Sequence, residues 1–174
     1  GRCGLSRLPS MAKKRKTNGN HIICEQAYKK SAKIRLEEFW SAFDKEDTVL
    51  VCIVADPDSL GSAMAIKRLL RYRVKNVTIA HPNEISRLNN IEMVERLRIP
   101  LERLHAVKTK EFTKKVMVDS QPNHHPAFEK MTFNVIIDHH PVGGEWEAAY
   151  IDIRPDYGAV STMMVEYLRA AGMK

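Results

Sequence analysis

The sequence predicts an α/β fold, a doubly wound and mainly parallel sheet with helices on both faces. Apolar runs rich in β-branched residues alternate along the chain with segments of helical periodicity, which is the pattern of successive βα units. The longest run, TVLVCIVA at 48–55, has almost no polar side chain and is typical of a strand buried on both faces. A length of 174 residues, 44% of them hydrophobic and 28% charged, fits one folded domain.

The predicted elements begin with an amphipathic helix from His21 to Phe43, where apolar residues recur at spacings of three and four. The strand at 48–55 follows after a polar turn. Later helices end at recognisable stops, one of them before Pro100 and the last at Gly172. The remaining predicted elements are helices at 61–71, 83–98 and 158–172 and strands at 77–80, 115–119 and 133–138.

Most of the net positive charge comes from the N-terminus. The net charge is +7, and residues 1–20 contain six Lys and Arg residues and no acidic residue. We expect this segment to be a disordered basic arm, either simply solvated or in contact with nucleic acid. Met11 precedes AKKRK like a natural start, which would make residues 1–10 a remnant of cloning or of upstream translation. Residues 21–174 are expected to form the folded domain.

Two absences in the sequence point to a soluble, cytoplasmic protein with no membrane partner. No apolar run approaches the roughly 20 residues that span a bilayer, and no signal peptide is recognisable. The three cysteines, Cys3, Cys24 and Cys52, are odd in number and widely spaced, which favours reduced thiols over a disulfide framework.

Titratable residues gather at the ends of three predicted strands, each of which ends in an aspartate. Because the carboxyl ends of parallel strands meet at one edge of a sheet, we expect these side chains to converge in one crevice if the strands are neighbours. So many like charges cannot stay ionised together without a cation. The converging residues are Asp56, Asp58, Asp119, Asp138, His139 and His140.

Carboxylate oxygens mixed with imidazole nitrogens suit Mn²⁺, Mg²⁺ or a similar divalent ion. The number of candidate ligands exceeds the needs of one ion. Two ions about 3.5–4 Å apart would clamp the attacking and leaving oxygens of a phosphoryl transfer, and a hydroxide held between them would be the nucleophile. Gly61 and Ser62 are expected to open the next helix, where free N–H groups could bind a phosphate oxygen, although Ser62 could also be a plain N-cap.

Three motifs in this order resemble those of the DHH phosphoesterase family: DPDSLGSA (56–63), VMVDSQP (116–122) and VIIDHHPVGG (135–144). The segment after these motifs, DIRPDYGAVSTMMVEYL (152–168), also resembles the corresponding segment of some family members. Those members are described as exopolyphosphatase-related proteins, or as relatives of oligoribonucleases and of phosphatases that act on 3′-phosphoadenosine 5′-phosphate (pAp). The resemblance implies a DHH domain that hydrolyses phosphoester or phosphoanhydride bonds with two divalent cations, Mn²⁺ first and Mg²⁺ or Co²⁺ as alternatives.

The resemblance also implies roles for single residues. Asp56 would bind one metal, Asp58 the other, and Asp119 would bridge them. His139 would be a further ligand. Asp138 would orient a histidine or a metal water, and His140 would contact the scissile phosphate. The substrate-binding candidates remain those named above, Gly61 and Ser62.

Two departures from the family pattern affect these expectations. Many members have a histidine where this chain has Cys52, which could ligate a metal but is more often a small hydrophobic residue inside a strand. The fourth metal-binding aspartate and the C-terminal substrate-binding domain of the family have no counterpart here. We therefore expect a DHH domain truncated before its fourth motif, with weak or no activity of its own.

Three functions stay open from the sequence. The first is hydrolysis of phosphoester bonds in short oligoribonucleotides or pAp. The second is hydrolysis of phosphoanhydrides, as an exopolyphosphatase or pyrophosphatase, and the third is a module that binds nucleotide or metal without catalysis. The expected partner is a phosphorylated substrate (short RNA, nucleotide or polyphosphate), and a homodimer is compatible with the sequence.

Two smaller features also have alternatives. His124 and His125 lie in a polar loop with Pro on both sides, where exposed histidines are expected and a substrate contact is the alternative. Arg154 could reach an anionic substrate or pair with Asp152 or Asp156.

Overall fold

The computed structural model describes residues 30–173. Its sheet has six strands in the order β3-β2-β1-β4-β5-β6, and every neighbouring pair is parallel. In chain order the strands are β1 (Thr48–Cys52), β2 (Asn76–His81), β3 (Leu101–Arg103), β4 (Lys114–Val118), β5 (Val135–Asp138) and β6 (Tyr150–Ile153). The α-helices are α1 (Ala32–Ser41), α2 (Pro57–Leu69), α3 (Leu88–Leu97) and α4 (Val160–Ala170).

The predicted α/β class and parallel, doubly wound sheet are confirmed. The strands β3 and β6 were not predicted from the sequence. Both lie at the edges of the sheet, and β3 is only three residues long, so neither produces the long apolar run that marks β1. Within the described residues the predicted N-terminal helix occupies Ala32–Ser41, where Ser31 accepts a hydrogen bond from the backbone N–H of Ile34 as N-cap.

The two faces of the sheet are covered differently. Helices α1, α2 and α4 pack on one face, against alternate strand residues such as Val49 and Val51, and α3 adds two partly buried residues to the same core. The other face is covered by connecting segments, some of them short 3₁₀ turns, with Phe128 and Phe133 as their buried anchors. Strands β1, β4 and β5 are therefore buried on both sides, as their apolar sequences require.

The order of the strands creates a crevice beside β1. The chain runs from β1 outward to β2 and β3, and then returns to place β4 on the other side of β1 before continuing to β5 and β6. Ligands of open parallel sheets bind at the carboxyl ends of strands where the winding reverses, which here is the β1–β4 boundary. Because β1, β4 and β5 are neighbours in the sheet, their carboxyl ends open into the same crevice.

Some expectations fall outside the described residues. They are the predicted basic arm at 1–20, which contains Cys3, and the start of the predicted helix at 21–29, which contains Cys24. Among residues 30–173, no helix combines the length and the apolar character that crossing a bilayer would require.

Candidate metal centre

The turn after β1 places Asp56 and Asp58 at the start of helix α2. Asp56 is the N-cap: its carboxylate accepts the backbone N–H of Ser59, and the Ser59 hydroxyl accepts the backbone N–H of Asp56, which makes a capping box. Pro57 occupies the first helical position, where its missing N–H costs nothing. The helix therefore begins directly after the strand turn, and Asp58 lies in its first turn.

This start corrects one prediction. Gly61 and Ser62 do not open the helix, because α2 begins four residues earlier at Pro57, and by Leu60 the backbone N–H already donates to the carbonyl of Asp56. Asp56, and not Ser62, is the N-cap. The hydroxyl of Ser62 is buried and has no hydrogen-bond partner within the described part of the chain. Substrate binding by Gly61 and Ser62 stays a prediction, without the support of a helix N-terminus.

Asp58 joins helix α2 to the start of helix α4. Its two carboxylate oxygens accept the backbone N–H groups of Val160 at 2.8 Å and Ser161 at 2.7 Å. Partial burial alone would raise the pKa of Asp58, but hydrogen bonds from Ser161 and Val160 and the nearby imidazole of His139 lower it overall. A carboxylate oxygen has two lone pairs, so each oxygen can still face a cation.

Asp119 lies directly after β4 with a backbone in the left-handed region, at φ 60°. This conformation is uncommon for a residue other than glycine, and such positions concentrate at functional sites. The side chain is buried, and its Oδ1 atom has no hydrogen-bond partner in the described chain. Burial and the charges of Asp58, Asp56 and Asp138 raise the pKa of Asp119 to about 8.

His139 presents one ring nitrogen to these carboxylates. Its Nδ1 atom lies 2.9 Å from the carbonyl oxygen of Tyr157, and because a carbonyl can only accept, Nδ1 carries the proton. In the neutral ring the lone pair is then on Nε2, which lies 3.5 Å from Asp119 Oδ1 and 4.0 Å from Asp58 Oδ2. The tautomer is the one that a metal-binding imidazole requires.

The side chains of Asp138 and His140 form a second unit beside this group. Asp138 is fully buried, and its Oδ1 atom lies 2.8 Å from Nδ1 of His140. The other oxygen, Oδ2, accepts a hydrogen bond of 2.7 Å from the side-chain amide of Gln121. Gln121 is itself fixed, since its amide also donates to the carbonyl of Pro141 and its Oε1 accepts from Gly143. Asp138 thus fixes the Nδ1 side of the His140 ring, and its role in catalysis stays a prediction.

Candidate ligands cluster in two overlapping groups within the described residues. In each group, three ligand atoms lie within 4.8 Å of one another. The first group is Asp119, His139 and His140, and the second is His124, Asp138 and His140. Asp58 joins the first group through His139, and Asp56 is close enough to raise the pKa of Asp119. The crevice therefore brings together Asp58, Asp119, Asp138, His139 and His140, whereas Asp56 caps helix α2 and acts on Asp119 through its charge.

The donor set fits divalent cations. The carboxylates of Asp58 and Asp119 face Nε2 of His139, and the buried Oδ1 of Asp119 has no hydrogen-bond partner among residues 30–173. Without a cation, such an arrangement forces a proton onto Asp119 at neutral pH, as its raised pKa indicates. Oxygen ligands with one or two imidazoles are typical of Mn²⁺ or Mg²⁺ sites and not of thiolate-preferring metals.

Comparison with known proteins agrees with this geometry. Residues 48–174 match the sequence profile of the DHH family, N-terminal domain. The chain belongs to the DHH family. An uncharacterized protein of Methanocaldococcus jannaschii is 29% identical over 120 residues, which are 69% of this chain and 25% of that protein. The chain thus matches about a quarter of the length of this relative. DHH domains are metal-dependent phosphoesterases, and the converging carboxylates of this DHH domain suit that chemistry.

Sequence reasoning missed three contributors to the site of this DHH domain. His124 was expected in an exposed loop, and it is largely exposed, but its ring centroid lies 5.4 Å from that of His140. Gln121 and the carbonyl of Tyr157 hold Asp138 and His139 in place. For Gln121 the available sequence signal was the Gln-Pro pair that begins two residues after Asp119. A backbone carbonyl leaves no signal in a sequence.

Two other residues have structural roles in the DHH domain. Cys52 is fully buried in the core on the face opposite the helices, and burial raises the pKa of its thiol to about 12, so it lacks the thiolate form that binds metals. Arg154 is also buried. Its guanidinium pairs with Asp152 at 3.1 Å and with Glu166 at 2.8 Å, which favours the structural alternative over a substrate contact.

Proposed function

We propose that this DHH domain hydrolyses phosphoester bonds with two divalent cations, Mn²⁺ in the first place. Short oligoribonucleotides or pAp are the proposed substrates. One observation carries the proposal: the Nε2 atom of His139 faces the carboxylates of Asp58 and Asp119, and the buried Oδ1 of Asp119 has no hydrogen-bond partner in the described part of the chain. Membership of a metal-dependent phosphoesterase family supports it.

The proposed ligands are Asp56, Asp58, Asp119 and His139. When bound, divalent ions at this place would polarise the phosphoryl oxygens and make water a better nucleophile at neutral pH. Asp119 would be the ligand shared by the two ions, because its Oδ1 atom lies 3.5 Å from Nε2 of His139 and it is the more deeply buried of the two carboxylates facing that nitrogen.

The protein's own residues would position the substrate. With the His140 Nδ1 atom held by Asp138, the other ring nitrogen is available to the phosphoryl group, which it can stabilise by donating a hydrogen bond when the ring is protonated. Asp138 in turn is held by Gln121, so the imidazole cannot rotate away freely. His139 keeps its lone pair toward the carboxylates through the bond to Tyr157.

Hydrolysis of bis-p-nitrophenyl phosphate in the presence of Mn²⁺ tests this function. We expect turnover by the wild type, at least a hundredfold loss in Asp119→Asn, and no change in Glu129→Gln, which alters an exposed carboxylate outside the proposed ligand set. Equal rates for the wild type and Asp119→Asn would refute the proposed phosphoesterase activity. A second assay with pAp, a dinucleotide and polyphosphate separates the substrates, and preference for polyphosphate would favour the phosphoanhydride alternative.

A further inference from the structure

A basic turn follows helix α2 and has no role in the chemistry described so far. Residues 67–75, KRLLRYRVK, contain five cationic residues and no acidic residue. Among the described residues, no carboxylate lies within ion-pair distance of Lys67, Arg71 or Lys75. Lys67 instead donates to the backbone carbonyl of Val77. Arg71 and Lys75 are exposed, so their charges face solvent on this turn.

Tyr72 lies at the centre of this turn, with an exposed side chain and an uncommon backbone conformation. It is 82% exposed, the largest exposure of the exposed large hydrophobic residues described. Its backbone adopts the left-handed conformation at φ 66°, which is unfavourable for a residue with a Cβ atom. The guanidinium of Arg71 lies over the ring at 4.8 Å from the centroid. An aromatic ring held outward beside cations offers a stacking surface for a nucleic-acid base.

A groove of about 650 Å³ runs beside this turn and reaches along helix α2 as far as Gly61. We call it the basic groove; its walls include Gly61, Met64, Arg71, Tyr72, Lys75 and Leu168, and none of its lining residues is acidic. Gly61 lies three residues after Asp58, on the same face of α2. A Cβ atom at Gly61 would meet no atom within 4 Å, so this end of the basic groove is open.

The dimensions match a short single strand. The wall of the basic groove that helix α2 provides runs from Gly61 to Leu70, roughly 14 Å at 1.5 Å per residue. At about 3.4 Å per stacked nucleotide this length corresponds to about four nucleotides. We propose that the basic groove binds the sugar-phosphate backbone of a short single-stranded RNA, with a base stacked on Tyr72 and one strand end near Asp58. This inference rests on the proposed function and names the binding surface for its substrate.

Single-stranded nucleic acid fits the basic groove better than other anionic partners. The cations line a concave channel between elements, whereas a lipid surface would need them on a convex or flat face. Phosphates spaced along a strand can meet successive cations while a base contacts the ring of Tyr72, which inorganic polyphosphate cannot do. The exposed aromatic ring of Tyr72 therefore favours RNA over ligands that offer only negative charge.

Fluorescence anisotropy with a fluorescein-labelled hexaadenylate RNA tests the proposal, in EDTA to prevent hydrolysis. The double variant Arg71→Glu/Lys75→Glu should bind at least tenfold more weakly than wild type, and Tyr72→Ala at least about fivefold more weakly. The matched control Lys33→Glu/Lys130→Glu makes the same change in net charge at exposed sites outside the basic groove, and should bind within twofold of wild type.

The salt dependence gives an independent measure. For single strands each lost phosphate contact lowers the slope of log K against log salt by about 0.7, so the double variant should lose about 1.4. Equal weakening in the basic-groove variant and the control would overturn the proposal, because any nucleic-acid binding would then follow net charge, including that of residues 1–20. Binding to phosphatidylserine vesicles without binding to RNA would also overturn it.

Failure of this inference can be told apart from failure of the proposed function. The basic-groove variants leave Asp58, Asp119 and His139 unchanged, so they should hydrolyse bis-p-nitrophenyl phosphate at the wild-type rate. Loss of RNA binding with retained hydrolysis supports the basic groove. Absence of hydrolysis in the wild type would refute the proposed enzymatic function. The anisotropy comparison would still decide whether the basic groove binds RNA.

Discussion

The Nδ1 atom of His139 lies 2.9 Å from the carbonyl oxygen of Tyr157, so a residue 18 positions later in the chain sets the tautomer of the candidate metal ligand. Tyr157 is held in turn at two points. Its hydroxyl donates to Glu166, and its ring lies under the guanidinium of Arg154, 4.3 Å from the centroid. The start of helix α4 and the segment before it thus form part of the metal centre.

Glu166 should contribute more to stability than its partial exposure indicates. It accepts from Arg154 at 2.8 Å and from Arg35 at 2.9 Å, both of which are buried. Glu166→Gln removes the carboxylate charge that these two guanidinium groups share, and Arg154 keeps Asp152 as an acidic partner. We expect a loss of at least about 2 kcal/mol in the free energy of unfolding, measured by urea titration. Glu37→Gln, at an exposed position of α1, should stay within about 0.5 kcal/mol of wild type.

Asp138→Asn should lower turnover while leaving the protein folded. The substitution weakens the bond that fixes Nδ1 of His140 and disturbs the contact with Gln121. Loss of an orienting partner of this kind costs about 10–100-fold in activity or metal affinity. Turnover of bis-p-nitrophenyl phosphate and Mn²⁺ titration would measure the effect. Glu145→Gln, which changes an exposed acid, serves as control, and an Asp138→Asn rate equal to this control would contradict the assigned role.

The raised pKa of Asp119 predicts the pH dependence of stability in metal-free protein. An unfolded aspartate titrates near 3.9, whereas in the fold the pKa of Asp119 is about 8. Between these values the folded state holds the extra proton, so this contribution to stability is present at low pH and is lost as pH rises toward 8. In EDTA, wild type should lose up to about 1.4 kcal/mol per pH unit from pH 5 to 8 relative to Asp119→Asn. Parallel stability curves for the two proteins would disprove this assignment.

Asp58→Ala should destabilise the protein even without metal. The carboxylate accepts the backbone N–H groups of Val160 and Ser161 at the start of α4, where the N-cap residue Ala159 provides no side-chain acceptor. Removal of such a cap costs about 1–2 kcal/mol. Thermal unfolding in EDTA measures the loss. Glu46→Ala, an exposed position in the turn before β1, should show no comparable change.

Cys52→Ala should retain Mn²⁺-dependent turnover within about twofold. The thiol is fully buried among apolar residues of strands β1 and β4, and its raised pKa keeps it protonated at neutral pH. The substitution should lower stability by about 1 kcal/mol through loss of packing. Loss of metal binding with unchanged stability would instead identify Cys52 as a ligand.

The sequence predicted the chemistry of the site better than the start of its second helix. Aspartates at the ends of apolar strands are visible in any parallel-sheet pattern, and the strand order placed them at one edge. The start of α2 was placed too late, because the helical apolar pattern becomes clear only after Gly61. The signals for the earlier start were present: Asp56 as a capping residue, Pro57 at the first position, and Ser59 three residues after the cap.

Other features of the site depend on tertiary contacts that no local pattern encodes. The left-handed backbone of Asp119 is one example, since nothing near it in the sequence requires that conformation. The proximity of His124 to His140 depends on how the loop after β4 folds over β5. Both features become visible only when the strands are assembled.

The double use of Asp58 has a consequence for how the domain assembles. A side chain in the first turn of the second helix accepts the first backbone N–H groups of the last helix, so the start of α4 depends on the β1–α2 unit. The same carboxylate would also hold a cation. Amide exchange at Val160 and Ser161 should accordingly slow when Mn²⁺ is added, which makes the last helix a reporter of events in the first βα turn.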